Sequence, residues 1–421
     1  MSYEARSHHR AHDAALSGSV WTDSGPDPSP LRLLMVVDTA WDRRLGAPRV
    51  QIELADQLRR LGHHVDSFSS DDAYGSPPPI ARFAGVTRNF PLRAARHIRA
   101  NPGRYDVIDA RHGTLLADKR SLSFSGLLVT RSVGLLPVYE REFVNADRRT
   151  PEARGRWLLR PLLAFEVEQA RRRARLAFEH ADLVNVLNRE EHALCEELGF
   201  AEKTVTLHLG LSERRRRRFD ELRRPPGERL AARRIAFIGS WCRRKGSHDM
   251  ARIMRGVLAA EPRASFLLLG TGLTAEQVLR ELAVPEARVE VRPCFDVDDL
   301  PQLLQDVTAG MLPSYVEGFP FAIIDSLGAG LPIVVYDVPG SREILPRIDP
   351  SLLVAPGDTT RFAARLADIL AMDEAAYAAL GAEAAALAAA ELCWEEIAAE
   401  TARTYRARLE RVRGAAPAPH R

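Results

Sequence analysis

The residue types best suited to chemistry gather in the second half of the 421-residue chain. Residues 239–246 read GSWCRRKG and follow a short apolar run, so Arg243, Arg244 and Lys245 fall in a glycine-bounded turn ahead of a helix. Cations and backbone amides at a strand-to-helix turn suit a phosphate, because amide N–H groups and the helix dipole both favour negative charge there. The glycine spacing fits neither a Walker A loop nor a GxGxxG fingerprint. Lysine is also scarce, with only Lys119, Lys203 and Lys245 among 59 basic side chains. In such a chain a lysine marks a candidate position for a compact ammonium, where a planar guanidinium will not serve.

Residues 311–343 (MLPSYVEGFPFAIIDSLGAGLPIVVYDVPGSRE) supply the carboxylates. A strand ends at Leu312 and a loop carries Glu317 and Gly318. Pro320 suits the first turn of a helix over Phe321–Ala329, since its missing N–H needs no partner there. Glu317 in the loop and Asp325 on the helix could hold sugar hydroxyls through charge-assisted hydrogen bonds. The N–H groups of Phe319 and Phe321, near the helix start, would favour an anion or an oxyanion.

These loops need a frame, and the apolar pattern supplies one. Leu31–Val37, a polar loop over 38–48, a helix over Val50–Leu61 and a strand at Val65–Phe68 form a βαβ unit. Further strands are expected at Tyr105–Ala110, Gly126–Thr130 and Leu183–Leu187, with an Arg-studded helical region over Arg154–Glu179. A second series follows at Arg234–Ile238, Ser265–Leu269, Val289–Val291, Ala309–Leu312, Ile333–Tyr336 and Leu352–Val354. The pattern predicts two α/β, Rossmann-like, doubly wound domains facing across a cleft. Their bounds are a disordered leader at 1–30, a first domain at 31–213, an Arg-rich exposed linker at 214–234 and a second domain at 235–393. A helix over 394–413, crossing back to the first domain, and a disordered tail at 414–421 complete the chain; all of Asp368–Arg413 reads as helical.

Composition narrows the class. A hydrophobic share of 46% with 27% charged residues excludes global disorder, and no uncharged apolar run approaches the ~18–20 residues that span a bilayer. Cys195, Cys242, Cys294 and Cys393 are isolated, which points to a reduced, cytoplasmic setting and away from a zinc or dithiol motif. His8, His9 and His12 lie in a polar leader without the core of a signal peptide.

Taken together, these segments resemble retaining glycosyltransferases of family 4, which adopt the two-domain GT-B fold. The resemblance covers about 31–410. It rests on the βαβ loop with Gly46, ADLVNVLNREE at 181–191, LHLGL at 207–211, the RRKG turn, LLLGTG at 267–272, PSYVEGFP at 313–320 and ELCWEEIA at 391–398. Glu317 and Asp325 stand where the family carries its Glu-x7-Glu pair. The resemblance implies that Lys245 and a nearby arginine bind the donor diphosphate, that Glu317 and Gly318 contact the sugar, and that Asp325 holds the ribose. The first domain, with Gly46, would face acceptor or sugar. The co-substrate would be a nucleotide diphosphate-sugar, with no resident cofactor and no metal.

Three departures stand out. Ser240 follows the glycine of the phosphate turn where the family usually has Arg, so Arg243 or Arg244 must supply the second cation. The second acid is Asp, one methylene shorter. Val133 occupies a position before glycine where many relatives carry histidine; His112, after a strand end, is the nearest substitute, or else a solvated loop residue.

Two further segments invite other readings. Asp296–Val297–Asp298 could hold a metal, but Asp298 and Asp299 precede a helix over Leu300–Leu304 and suit N-capping better. Arg141–Arg175 holds ten arginines and five acidic residues. It suits a lipid-linked acceptor at an anionic membrane surface, with the protein peripheral on its inner face, or equally a solvated helix laced with ion pairs. The expected function is sugar transfer to a glycan or lipid-linked acceptor in cell-surface polysaccharide or glycoconjugate biosynthesis. Alternatives are a GT-B epimerase or phosphorylase and, motivated by ten arginines in 214–234, a nucleic-acid binder. A net charge of only +3 argues against the last.

Overall fold

Continuous apolar runs in strands signal sheets covered on both faces, which is how parallel sheets are buried. In the computed structural model, which describes residues 29–75, 86–135 and 160–414, two such sheets form. The first contains β1 (Arg32–Val36), β2 (His64–Phe68), β3 (Val107–Arg111), β4 (Leu127–Arg131), β5 (Leu183–Val186) and β6 (Thr204–Thr206) in the order β2-β1-β3-β4-β5-β6. The second contains β7 (Arg234–Ile238), β8 (Ser265–Leu269), β9 (Val289–Arg292), β10 (Ala309–Leu312), β11 (Ile333–Tyr336) and β12 (Leu353–Val354) in the order β12-β11-β10-β7-β8-β9. The strands pair in parallel throughout both sheets. This is the expected α/β, two-domain GT-B architecture. Both sheets belong to one compact unit that begins at Leu31.

The helices that shape the site are α1 (Gly46–Arg60), α2 (Arg189–Glu197), α3 (Glu213–Leu222), α4 (Pro226–Ala232), α5 (Ser247–Ala260), α6 (Phe321–Gly328) and α7 (Trp394–Gly414). Each sheet reverses its order beside its first strand, between β1 and β3 and between β7 and β10. Ligands of open α/β sheets bind beyond the strand ends at such reversals. The loops leaving β7 and β10 carry GSWCRRKG and PSYVEGFP, so topology joins two segments far apart in sequence.

Three expectations need correction. Residues 214–234 are not an exposed linker: most of the segment is α3 and α4, with Arg215, Phe219 and Arg229 buried. Ser212 caps α3, and Arg229 donates to the carbonyls of Ala329 (2.9 Å) and Leu304 (3.3 Å), groups at helix ends that lack helical partners. The helical stretch expected over Asp368–Arg413 is interrupted: it takes in the end of a helix over Thr359–Leu370, a helix over Glu374–Glu391 (capped by Asp373) and α7, which matches the helix expected at 394–413. The first sheet also has a strand the pattern does not reveal, β6, whose Thr-Val-Thr sequence has no apolar run.

α7 returns to the first sheet. The Trp394 indole donates to Glu53 (2.6 Å), and the Tyr405 hydroxyl donates to Asp109 (2.6 Å) while accepting from Arg131 (2.8 Å). The leader up to residue 28, the tail from residue 415 and the 136–159 part of the Arg-studded region lie outside the described residues. Among the described residues no helix is long and apolar enough to cross a membrane.

Candidate functional site

After β7 the chain passes Gly239 into a 3-10 turn, Arg243–Lys245, and α5 starts behind Gly246. Gly246 has φ 76°, and a Cβ added there would lie 2.0 Å from the Pro313 carbonyl oxygen. Glycine thus lets the cationic turn lie directly against the loop after β10. Two hydrogen bonds fasten them: the Tyr315 amide donates to the Arg244 carbonyl (2.9 Å), and the Arg244 guanidinium donates to the Val316 carbonyl (3.1 Å). Beneath, fully buried Asp249 accepts from the Tyr315 and Tyr336 hydroxyls, each at 2.7 Å. Burial would push its carboxyl up, but these hydroxyls, helped by the nearby His248 and Arg252, hold it below the usual carboxylate range.

Between these two loops the Lys245 ammonium donates to Glu317 Oε1 at 2.5 Å, and an Arg244 nitrogen lies 3.9 Å from the same oxygen. The two side chains of the close pair are only 13% and 7% exposed. Burial pushes the Glu317 carboxyl up, and Lys245 and Arg244 outweigh it, keeping the group ionised below the usual range. Arg243 shares the turn. The other two lysines have plain structural partners: Lys119 bonds Asp182 (2.8 Å), and Lys203 donates to the Ala181 carbonyl (2.9 Å).

The next residues meet the first domain. A Cβ on Gly318 would stand 3.2 Å from Gly134 Cα, and Asn188 Nδ2 donates to the Gly318 carbonyl at 2.8 Å. Phe319 is buried and stacks on His208 with ring centroids 4.9 Å apart. Pro320 is the N-cap of α6, and the Phe321 ring lies 3.9 Å below the Arg49 guanidinium. Val133, where the resemblance leads one to expect histidine, directly precedes Gly134 and packs against the core.

Asp325 occupies a setting the sequence does not suggest. It is fully buried, and both oxygens accept from Arg49 of α1 (2.9 and 3.0 Å). Arg49 also donates to Glu53 (2.7 Å), which accepts from Arg215 (3.0 Å) as well. Burial alone would lower the Arg49 pKa, but Asp325 and Glu53 raise it; Glu53 is held low by Arg49 and Arg215 against the upward push of burial. Arg49, Glu53, Arg215, Asp249 and Asn188 are thus members of the site that sequence reasoning missed. Arginine is so common here that a buried one carries no distinguishing mark.

Gly46 opens α1 and is exposed, with nothing within 4 Å of an added Cβ, so no close approach requires it. His112 follows β3, its Nδ1 3.4 Å from the Arg131 carbonyl oxygen. Burial and the adjacent Arg111 push its pKa down to about 4, so the ring is neutral at pH 7. Asp299 is the N-cap residue of the helix over Leu300–Leu303, as expected, but makes no side-chain cap; Asp296 caps the 3-10 turn before it, accepting from the Asp298 amide, while Asp298 pairs with Arg214. Among the described residues no cluster of three or more His, Cys, Asp or Glu could hold a metal ion. A groove of about 560 Å³ beside α3 is lined by Arg60, Arg214, Arg217, Arg218, Asp298 and Glu395 among others. Its arginines face acids, Arg217 with Glu213 and Arg218 with Glu221, so it presents no uncompensated basic surface.

Two parallel six-stranded sheets, with the Lys245–Glu317 pair in the loops leaving β7 and β10 of the second, define a chain of GT-B architecture. Residues 232–372 match the family Glycosyl transferases group 1. A D-inositol 3-phosphate glycosyltransferase of Thermobispora bispora is 24% identical over 401 residues, covering 87% of this chain and 90% of that protein. A 2-deoxystreptamine glucosyltransferase of Streptomyces kanamyceticus is 26% identical over 140 residues, 32% of this chain, and the match spans only 36% of that protein's length. In structure the chain is similar to Anabaena HepE, solved in complex with UDP and glucose, with a TM-score of 0.60 and 17% identity over 90% of this chain and 100% of HepE. The family match spans about a third of the chain, the relatives named are 24% and 26% identical to it, and the structural likeness supports the fold.

Proposed function

We propose that the protein is a retaining, metal-independent glycosyltransferase of the family 4 type. It would move a hexose from a nucleotide diphosphate-sugar to a glycan or lipid-linked acceptor in cell-surface polysaccharide or glycoconjugate biosynthesis. The observation that carries this reading is the Lys245–Glu317 pair at the reversal of the second sheet, closed over by the first domain at Gly134 and Gly318.

In this reading the diphosphate takes Lys245 and an arginine of the turn, Arg243 or Arg244, and the displaced Glu317 turns to the sugar. The C–O bond between anomeric carbon and phosphate breaks while the acceptor oxygen bonds the same face of that carbon. The acceptor's proton passes to the departing phosphate oxygen, whose growing charge the cations and the amides of Gly318, Phe319 and Phe321 stabilise. Gly46 and His112, both in the first domain, would contact the acceptor or the sugar. Asp325 would reach the ribose only by exchanging its arginine partner.

Residues of the Arg-rich segment have acidic or carbonyl partners (Arg215, Arg217, Arg218, Arg223, Arg229, Arg233, Arg234), which leaves the nucleic-acid reading without support. No observation favours an epimerase or a phosphorylase. Membrane association belongs to the same proposal and is tested by co-sedimentation with anionic vesicles; unchanged partition against neutral vesicles would remove it. Donor binding is tested by ligand-observed NMR with UDP-, GDP- and ADP-sugars. Saturation by one of them is expected, and no binding to any would overturn the reading.

A further inference from the structure

α2 begins against the second domain, and its cap does more than start a helix. Asn188 Oδ1 accepts from the Glu191 amide (2.9 Å), while Nδ2 of the same side chain donates across the cleft to the Gly318 carbonyl (2.8 Å). Asn188 is fully buried. Glu191, also fully buried, accepts from the amides of Leu187 (3.0 Å) and Leu135 (2.9 Å), one on each side of the contact. The Gly134–Leu135 loop and the start of α2 are therefore one braced unit. Beside it, the Arg189 amide donates to Glu343 (2.6 Å) and Arg342 bonds Glu190 (3.1 Å), so the first three residues from the cap onward all engage the second domain.

The Gly318–Phe319 peptide is trans, like every peptide bond among the described residues. In a planar trans peptide the C=O and N–H point in opposite directions. By holding the Gly318 oxygen, Asn188 thus turns the Phe319 N–H away from the first domain, two residues after the carboxylate that touches Lys245. We propose that Asn188 is a positioning residue for the donor: through this one hydrogen bond it aims the Phe319 N–H at the diphosphate when the domains meet. A ligand phosphate beside Lys245 then gains a fixed amide donor from a peptide that would otherwise rotate. The inference rests on the donor reading above.

Asn188→Asp separates the two duties of the side chain. An ionised carboxylate can still accept from the Glu191 amide but cannot donate to a carbonyl, so the cap can form while the cross-domain bond is lost, and circular dichroism checks that the variant is folded. Affinities of wild type and variant are measured by calorimetry for UDP, GDP and ADP and for the matching nucleosides. Loss of one aimed, charge-assisted amide contact is expected to weaken the diphosphate about tenfold while leaving the nucleoside unchanged. Lowering the pH should restore the variant's diphosphate affinity, because a protonated Asp regains an O–H donor for Gly318. Unchanged diphosphate binding, or equal loss for diphosphate and nucleoside, overturns the role of Asn188 alone. A wild-type chain that binds none of the diphosphates overturns the donor reading, and this role with it.

Discussion

Arg49 and Asp325 are joined across the two domains by a forked ion pair at 2.9 and 3.0 Å, with both side chains out of water. Asp325 is the carboxylate that the family resemblance assigns to the ribose. Its pairing makes it part of a four-charge hub in which Arg49 and Arg215 balance Glu53 and Asp325, while Trp394 ties Glu53 to the last helix. The hub thus connects α1 and α7, which pack together against the first sheet, with α3 and α6.

Arg49→Met should therefore destabilise the protein by about 3–5 kcal/mol, the cost of leaving a buried carboxylate without its partner. Adding Asp325→Leu to the same chain should recover much of that loss. Urea unfolding of the three chains reads this, and a neutral Arg49→Met would show that the pair contributes nothing to stability.

Gly246 and Gly272 make a matched comparison. Both have positive φ, 76° and 69°, but only at Gly246 would a Cβ meet backbone, the Pro313 oxygen at 2.0 Å. Alanine at 272 should cost about 1 kcal/mol of backbone strain. Alanine at 246 should cost more, and by forcing the Lys245 turn off its neighbour it should also abolish nucleotide binding. Equal melting temperatures and equal affinities for the two variants would contradict the packing described.

Acid should weaken the fold through His112. Its pKa is about 4 when folded against an ordinary value of 6.5, so between these values the unfolded chain takes up a proton that the folded chain does not. Stability present above pH 6.5 is then lost as the pH falls toward 4, by up to about 3 kcal/mol. Glu317 acts in the same direction, since its depressed pKa also favours the fold most above the unfolded value. Melting curves from pH 7 to pH 4 should be flatter for His112→Gln than for wild type; parallel curves would rule out a contribution from His112.

Much of the frame was legible because buried parallel strands are unbroken apolar runs. Arg234–Ile238, Ser265–Leu269, Ala309–Leu312 and Ile333–Tyr336 begin and end where the pattern places them. Lys245 and Glu317 could be picked out as residue types in loops, and topology then brought them together. The Arg49–Asp325 pair was hidden for a physical reason. A buried arginine and a surface arginine look alike in a chain that uses arginine for nearly every cation, and burial is decided by contacts hundreds of residues apart. The same blindness turned 214–234 into a linker, because charge density suggested solvent where Arg215 and Arg229 are interior struts. At 296–299 the local rule placed Asp299 correctly at the cap of the short helix, but the side-chain bond is made by Asp296 to the 3-10 turn before it.

The most direct test of a donor site at the Lys245–Glu317 pair is the affinity of wild type and Lys245→Ala for the sugar nucleotide that wild type binds, measured by calorimetry alongside circular dichroism. The expected result is at least a tenfold loss of affinity, about 1.4 kcal/mol or more, with the spectrum of the folded chain retained. Unchanged affinity in a folded Lys245→Ala protein would contradict a donor diphosphate at this turn.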